Sequence, residues 1–282
     1  MKRLMAAVLA CAALLGMLPA CAEERMIGLV YMNAFANVRR EPATEAEAVG
    51  MAEGERYYNC FGEEDGWYLV KTESGEMGYV SGKRCDFYAV AAPAEAWPLE
   101  EDGIRHYLPG DLVLFGAYEQ DHQAQNGPEP IEWIVLERNE EEGRLTLLTR
   151  CAIERRHYHT DNSHATWKTC GLRKWLNKDF YQTAFSEEEQ RLIGTTLVTA
   201  DKNKAMNVLA GEDTEDQVFL LSVDEAEKYL TPETLLCRPT ASAIVKNSSY
   251  DAKTGGCWWW LRTPGHNRMH TAYVDAEGEI SP

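Results

Sequence analysis

Three consecutive tryptophans and a nearby arginine, close to the end of the chain, are residue types that could bind a ligand. They lie in residues 255–265, GGCWWWLRTPG, which read as a short strand between two turns. Alternate side chains of a strand face opposite ways, so Trp258, Trp260 and Arg262 are predicted to share one face. Indole faces stack on sugar rings, and a guanidinium holds a carboxylate or phosphate with two hydrogen bonds. With Arg173, these residues are the candidate ligand-binding set. The alternative is that the tryptophans are core and Arg262 pairs with a loop carboxylate.

The densest cluster of metal-ligand side chains lies earlier, in residues 157–164, HYHTDNSH. His157 and His159 would share a strand face, and Asp161 or His164 could complete a three-ligand zinc site with one open position. The alternative is that they are solvent-exposed loop residues. A metal-dependent hydrolase is therefore one enzymatic hypothesis.

Cysteines offer a second kind of chemistry. Cys151 or Cys170 could act as a nucleophile near His157. The same sulfurs could instead form disulfides, which are typical of exported proteins. Position in the chain favours three pairs, which are Cys60 with Cys85, Cys151 with Cys170, and Cys237 with Cys257. Asp111, Glu132 and Asp224 could supply paired carboxylates for glycoside hydrolysis, which requires a spatial separation of about 5–9.5 Å.

The start of the chain predicts export. Lys2 and Arg3 precede an apolar run that ends in Pro19-Ala20-Cys21-Ala22, the pattern of a bacterial signal peptide over residues 1–22. Cleavage after Ala22 gives a secreted or cell-surface protein, and the alternative is a lipoprotein anchored at Cys21. We expect no transmembrane segment in the mature chain, because no later stretch is apolar over the required ~20 residues.

Charge argues against one class of partner. The whole chain has a formal net charge of −17, and removal of the signal leaves 26 basic against 45 acidic residues. Such a chain repels nucleic acid. We expect no nucleic-acid partner and no cofactor.

Residues 26–90 read as short alternating strands broken by turns, the pattern of a small all-β barrel. The ordered motifs NVRREP (37–42), GE (54–55), GWYLVK (66–71) and GEMGYV (75–80) closely resemble the bacterial SH3 family. This resemblance implies binding to peptidoglycan or another cell-envelope glycan, with Asn37 and Arg39 as the first candidate wall-binding residues. The alternative is a passive spacer. Residues 91–107 are rich in Ala, Pro and Glu at first and predict an extended linker.

The remainder, residues 108–282, predicts a second, α+β domain. Strands are expected at 110–116, 131–137, 144–150 and 218–221, with the second and third forming an antiparallel hairpin. Leu172, Trp175, Leu176 and Phe180 have helical spacing, and capping boxes at 186–189 and 222–225 predict two more helices.

Several motifs of this domain resemble a family of exported proteins from Gram-positive anaerobes that has no assigned reaction. They are TWKTCGLRKWLN (166–177), FYQTAFSEEE (180–189), VFLLSVDEA (218–226) and WWLRTPG (259–265). The family is similar in layout to C-type-lectin-like folds with a mainly antiparallel sheet. Such folds include formylglycine-generating enzymes and variable ligand-binding domains, so the resemblance leaves both an enzyme and a binding domain open.

Together these observations predict an exported, two-module cell-envelope protein. We expect non-catalytic binding of a cell-wall or host glycan or peptide. The alternatives are a secreted metal-dependent or cysteine hydrolase, and a surface scaffold with a protein partner.

Overall fold

The structure is a computed structural model that describes residues 25–100, 104, 106–160, 164–267 and 269–281. The predicted signal peptide over residues 1–22, with Cys21, lies outside the described residues, and so does Asp161.

The first module is one antiparallel sheet of seven strands in the order β3-β2-β6-β5-β4-β1-β7. Its strands are β1 (Gly28–Met32), β2 (Ala36–Arg39), β3 (Ala48–Ala52), β4 (Arg56–Glu64), β5 (Trp67–Lys71), β6 (Met77–Ser81) and β7 (Cys85–Ala89), with a 3-10 turn at Gly82–Arg84. A Cβ atom at Gly78 would lie 2.6 Å from Val38 Cγ1, so a glycine lets β6 lie against β2. Val30, Met32 and Val38 point inward and are fully buried.

The linker lies against the second module along its described length. Glu132 Oε1 accepts a hydrogen bond from the amide of Ala94 at 3.0 Å, and Arg150 Nη2 donates to Ala92 O at 2.6 Å. Strand β8 (Trp97–Pro98) pairs in parallel with β9 (Leu112–Tyr118). The extended linker predicted from composition is therefore docked, although the Trp97 side chain remains 63% exposed.

The second module contains four small sheets. The largest has the order β11-β10-β9-β8, where β10 (Glu129–Asn139) and β11 (Arg144–Thr149) form the predicted antiparallel hairpin. A three-stranded antiparallel sheet joins β16 (Trp259–Pro264), β17 (Thr271–Val274) and β18 (Ile280–Ser281). Two further pairs complete the sheets: β12 (Cys151–Ala152) with β15 (Arg238–Pro239) in parallel, and β13 (Thr196–Val198) with β14 (Thr214–Asp216) antiparallel.

The helices of the second module are short. Helix α1 (Gly171–Trp175) continues through a π-helical turn (Leu176–Phe180) into α2 (Tyr181–Ala184), as the spacing of the apolar residues predicts. The others are α3 (Glu187–Leu192), α4 (Val223–Tyr229), α5 (Pro232–Leu235) and α6 (Ala241–Val245). Both predicted capping boxes are formed, at Ser186 with Glu189 and at Ser222 with Glu225. No helix among the described residues has the length and apolar character needed to cross a bilayer.

The predicted strand over 218–221 is not a strand. Its backbone groups form hydrogen bonds with side chains and with one backbone amide, and not with a neighbouring strand. Asn177 Oδ1 accepts from the amide of Val218 at 3.1 Å, Arg262 Nη1 donates to Leu220 O at 2.8 Å, and the Arg262 amide donates to Leu221 O at 2.9 Å. The apolar run is thus an extended segment held by polar anchors.

The large sheet packs on both faces and so separates two cores. One core has Val113, Ile131 and Trp133 against Phe180 and Phe185 of the helical layer. The other core joins Leu136 to the three-stranded sheet through buried residues that include Leu221, Leu261 and Val274. The tryptophan strand is consequently a packing element of the second core.

The two modules share an apolar cluster of their own. Leu29 of β1 is fully buried against Ala241 and Ile244 of α6. Polar contacts frame this cluster, since Tyr250 Oη accepts from the amide of Ala89 at 3.0 Å and Asn59 Nδ2 donates to Asp121 O at 3.0 Å. The SH3-like module is therefore fixed to the second module and not a freely tethered domain.

Truncating this interface should weaken the whole chain. Ile244→Ala removes a side chain that is 2% exposed, and we expect it to lower the free energy of unfolding by about 2–4 kcal/mol. The matched control is Leu197→Ala, whose side chain is 63% exposed and should cost less than about 0.5 kcal/mol. Urea unfolding followed by fluorescence measures both. Equal effects of the two variants would contradict a packed module interface.

Candidate functional site

A cavity of about 440 Å³ in the second module is bordered by the tryptophan strand. We call it the tryptophan cavity. Its walls come from β11, from the segment after β12, from helix α1 and from the start of β16. Among the lining residues are Leu148, Trp175, Leu176, Phe219, Trp258 and Trp260. The walls are therefore largely apolar and aromatic, which is typical of small-ligand sites.

The predicted alternation of the tryptophan strand is largely present. Trp259 packs with Leu261 in the core beneath the three-stranded sheet. Trp258 stacks on Tyr273 at a ring-centroid distance of 4.7 Å, and Trp260 meets the same ring edge-on at 6.4 Å. Trp258 is 50% exposed. Two of the predicted ligand-binding residues, Trp258 and Trp260, thus border the tryptophan cavity.

Arg262 does not lie on an exposed face with Trp258 and Trp260, as the ligand-binding prediction requires. Its side chain is buried, and its guanidinium forms a two-point ion pair with Glu225, with Nη2 to Oε1 at 2.8 Å. Nη1 also donates to Leu220 O at 2.8 Å, and Nε donates to Thr199 O at 3.3 Å. These contacts occupy the guanidinium, so Arg262 fixes the fold and does not reach a ligand. This is the alternative considered from the sequence.

Arg173 is also engaged inside the fold. Its Nε donates to Asp216 Oδ1 at 2.7 Å, while the other oxygen of this buried carboxylate accepts from Trp167 Nε1 at 2.9 Å and from Thr214 Oγ1 at 2.6 Å. Asp216 is 1% exposed, so its charge needs these partners. Arg173 therefore supports helix α1 and does not border the tryptophan cavity.

The cations at the cavity are different arginines. Arg155 and Arg156 are exposed and lie where the chain leaves β12; we call them the arginine rim. The Arg156 guanidinium lies 4.3 Å from the centre of the Trp175 ring, and its carbonyl oxygen accepts from Trp260 Nε1 at 2.9 Å. The Arg155 guanidinium makes no hydrogen bond or ion pair with the residues that the structure describes. The sequence has two Arg-Arg pairs, at 39–40 and 155–156, and the second received no role from sequence alone.

One buried hydroxyl also borders the tryptophan cavity. The Ser248 Oγ atom is shielded from solvent and has no hydrogen-bond partner among the described residues. Buried hydroxyls are usually paired, because an unpaired one costs about 1–3 kcal/mol. Ser248 is therefore a polar group available to a ligand or a water molecule.

The histidines predicted to bind metal do not converge. His157 borders the tryptophan cavity, whereas His164 lines a separate cavity with Lys202. The amide of Gly171 donates to His159 Nδ1 at 3.1 Å, which ties that ring to the start of helix α1. Asp161 lies outside the described residues. Within the described part of the chain, the one group with metal-ligand spacing is instead Glu119, Asp121 and Glu129.

All six described cysteines are free thiols, so none of the three predicted disulfides is present. Cys60 and Cys85 lie on opposite sides of β1, opposite Gly28 and Met32 respectively. Four residues of strand span about 13 Å, which exceeds the usual Cα separation in a disulfide. The physical reason for this correction is strand register, which proximity along the chain does not reveal.

Cys151 and Cys170 contact different parts of the second module. Cys170 caps helix α1, where its Sγ accepts from the amide of Arg173 at 3.3 Å and contacts Trp167 O at 3.3 Å. Cys151 lies on β12 beside the segment that carries Cys237. Burial raises the pKa of Cys151 to about 12, so this thiol is protonated at neutral pH. A thiolate nucleophile is not favoured at either residue.

The three carboxylates considered for glycoside hydrolysis serve separate structural contacts. Asp111 Oδ2 accepts from the amide of Leu108 at 2.7 Å, Glu132 pairs with Arg150, and Asp224 pairs with Lys204. These contacts do not form a catalytic pair.

On the first module, Asn37 and Arg39 follow each other along β2 with one residue between them. Asn37 is exposed between two exposed apolar side chains, Phe35 at 66% and Met51 at 62%. Arg39 is half-buried, and its Nη1 donates to Ala46 O at 2.6 Å. Asn37 is thus presented to solvent, whereas Arg39 braces the loop before β3.

The comparisons with known proteins agree with this two-module layout. The family described as Domain of unknown function (DUF6273) matches residues 142–282, which is half of the chain. The chain belongs to the DUF6273 family. The family described as Bacterial SH3 domain matches residues 34–84. No curated protein and no solved structure matches the chain.

These matches confirm the predicted order of an SH3-like module before a DUF6273 module. The architecture is also the mainly antiparallel, sheet-rich one predicted from the sequence. The C-type-lectin-like layout of the DUF6273 module stays a prediction.

Truncation of Arg262 should lower the stability of the protein much more than truncation of Arg155. Arg262→Ala leaves Glu225 and Leu220 O without their partner inside the DUF6273 module, and we expect a loss of about 3 kcal/mol in the free energy of unfolding. Arg155→Ala removes an exposed side chain and should cost less than about 0.5 kcal/mol. Chemical denaturation measures both values. A stability loss at Arg155 as large as that at Arg262 would contradict these assignments.

Proposed function

We propose that this chain is an exported cell-envelope protein that binds a wall-derived peptide or glycan fragment without catalysis. The tryptophan cavity of the DUF6273 module carries this proposal. It combines about 440 Å³ of space, aromatic walls and two exposed arginines. The bacterial SH3 module supports a cell-wall setting, because its family suggests binding of peptidoglycan.

The chemistry of the tryptophan cavity favours an amphipathic ligand with a negative group. Trp175, Trp258 and Trp260 offer indole surfaces that can stack on a sugar ring or an apolar side chain. The arginine rim offers two guanidinium groups that can hold a carboxylate with charge-assisted hydrogen bonds. Fragments of peptidoglycan unite these features, since they join sugars to short peptides that end in carboxylates.

The backbone beside the tryptophan cavity favours the peptide part of such a fragment. Strand β11 pairs only with β10 among the described strands, so its second edge is open. The Arg150 amide donates to Glu132 O at 2.9 Å, and strand alternation then directs the amides of Leu147 and Thr149 away from β10. Both residues border the tryptophan cavity. An extended peptide can add to such an edge through main-chain hydrogen bonds.

The first module supplies a second surface for the same partner. Asn37 lies between the exposed side chains of Phe35 and Met51. Because the two modules share the buried cluster around Leu29, the two surfaces lie on modules that pack against each other. Attachment to the wall by the first module would raise the local concentration of wall fragments near the tryptophan cavity.

Export is part of this proposal and rests on the signal-like residues 1–22, with cleavage after Ala22 or lipid anchoring at Cys21. Either route would place the protein outside the cytoplasmic membrane, where peptidoglycan is found.

Calorimetric titration of the full chain with soluble peptidoglycan fragments tests the proposal. We expect the peptide-bearing fragment to bind and the peptide-free glycan to bind more weakly. Arg155→Ala should weaken binding by about ten- to a hundred-fold, because one charge-assisted hydrogen bond contributes about 1.5–3 kcal/mol.

The matched control is Arg191→Ala, which removes an exposed arginine on α3 that does not border the tryptophan cavity. It should bind like the unmodified chain. No heat of binding with any fragment would contradict the proposal, and equal binding of the peptide-free glycan would contradict the peptide preference.

A further inference from the structure

Two thiols meet in the wall of the tryptophan cavity. Cys237 follows helix α5 and Cys257 precedes β16, and both border the cavity. Their backbones are joined directly, since the Cys257 amide donates to Cys237 O at 2.8 Å. The Cys257 thiol is also the largest cause of the raised pKa of Cys237. Among the three cysteine pairs favoured by the sequence, this is the one whose partners are in contact.

We propose that Cys237 and Cys257 form a reversible dithiol–disulfide pair in the wall of the tryptophan cavity. A direct backbone hydrogen bond between two residues is typical of Cα separations of about 5.5 Å, which is within the range of disulfides. The bond can therefore form with little movement of the chain. This inference does not rest on the identity of any ligand, because its readout is the bond itself.

The oxidant is a small disulfide such as oxidised glutathione, which can approach from the tryptophan cavity. Cys237 is partly exposed, whereas Cys257 is fully buried, so the Cys237 sulfur attacks first. It loses its proton, displaces one thiolate of the oxidant and forms a mixed disulfide. Cys257 then loses its proton and displaces the second thiolate. The pair gives up two electrons and two protons, and the oxidant leaves as two thiols.

The local environment makes this reaction slow at neutral pH. The hydrogen bond with Cys257, followed by burial, raises the pKa of Cys237 well above its usual value. The reactive thiolate is therefore scarce, and oxidation should accelerate as the pH rises. The backbone of Ala152 and the positive charge of Arg150 act in the opposite direction and lower the pKa of Cys237.

The disulfide would fix the wall that carries the tryptophans. Leu235 O already accepts from Trp259 Nε1 at 3.0 Å, so the end of α5 and the start of β16 are neighbours. A covalent bond would close the loop over residues 238–256 and hold the start of β16 against the end of α5. Closing a loop of this size should raise the midpoint of thermal unfolding by about 5–10 °C.

Peptide mass spectrometry of the full chain after exposure to oxidised glutathione tests the proposal. Trypsin cleaves after Lys228, Lys246, Lys253 and Arg262 but not at the bond between Arg238 and Pro239, so Cys237 lies on the peptide 229–246 and Cys257 on the peptide 254–262. We expect these peptides to become linked, at about 2 Da below the sum of the reduced peptides, and to separate again on reduction. The thermal midpoint should rise and fall with the link.

Two variants serve as controls. Cys257→Ser should abolish both the link and the thermal shift, while Cys60→Ser removes a buried thiol of the other module and should leave both intact. Cys151→Ser should also leave the link intact, although Cys151 is the nearest competing thiol. Recovery of Cys237 and Cys257 as separate alkylated peptides, or a link of Cys237 to Cys151 instead, would overturn the proposal.

Discussion

The ion pair between the buried side chain of Arg262 and the partly exposed carboxylate of Glu225 organises the DUF6273 module. Arg262 lies on β16, and Glu225 is the capping residue of the first turn of α4. The same guanidinium binds the carbonyl oxygens of Leu220 and Thr199. One side chain thus joins a strand, a helix and two loops that are distant in sequence. Removing either partner would leave a charge inside the module, and for this reason the pair constrains everything around it.

The tryptophan cavity is a consequence of that constraint. With Arg262 held inward, β16 presents Trp259 to the core and leaves Trp258 and Trp260 beside the cavity. Its opposite side is the open edge of β11, and its charge comes from the arginine rim. The site therefore combines a rigid aromatic wall, an unpaired strand edge and a local positive charge in a chain whose net charge is −17. This combination is the basis for proposing an anionic, partly apolar peptide as the ligand.

Local patterns in the sequence predicted local structure well. The 144–150 hairpin strand, the apolar spacing of α1 and the two capping boxes depend on residues within a few positions of one another, and each is present. The partner of Arg262 could not be predicted in this way, because Glu225 is 37 residues away and is also a capping residue. The predicted pair of Cys60 with Cys85 failed for a similar reason, because strand register and not chain proximity decides which thiols meet. The sequence shows that Arg155 and Arg156 are neighbours, but their role as the arginine rim depends on their position beside the tryptophan cavity.

The eight tryptophans of the chain provide the most direct measurement of the central claim. Each indole N–H gives its own signal in a nitrogen–proton NMR spectrum, and these signals can be followed during titration with a soluble peptide-bearing peptidoglycan fragment. The account predicts saturable shifts for Trp175, Trp258 and Trp260, which border the tryptophan cavity. The signals of Trp97 and Trp167, which lie outside it, should stay in place. An unchanged spectrum, or shifts confined to Trp67 of the SH3 module, would contradict a binding site in the tryptophan cavity.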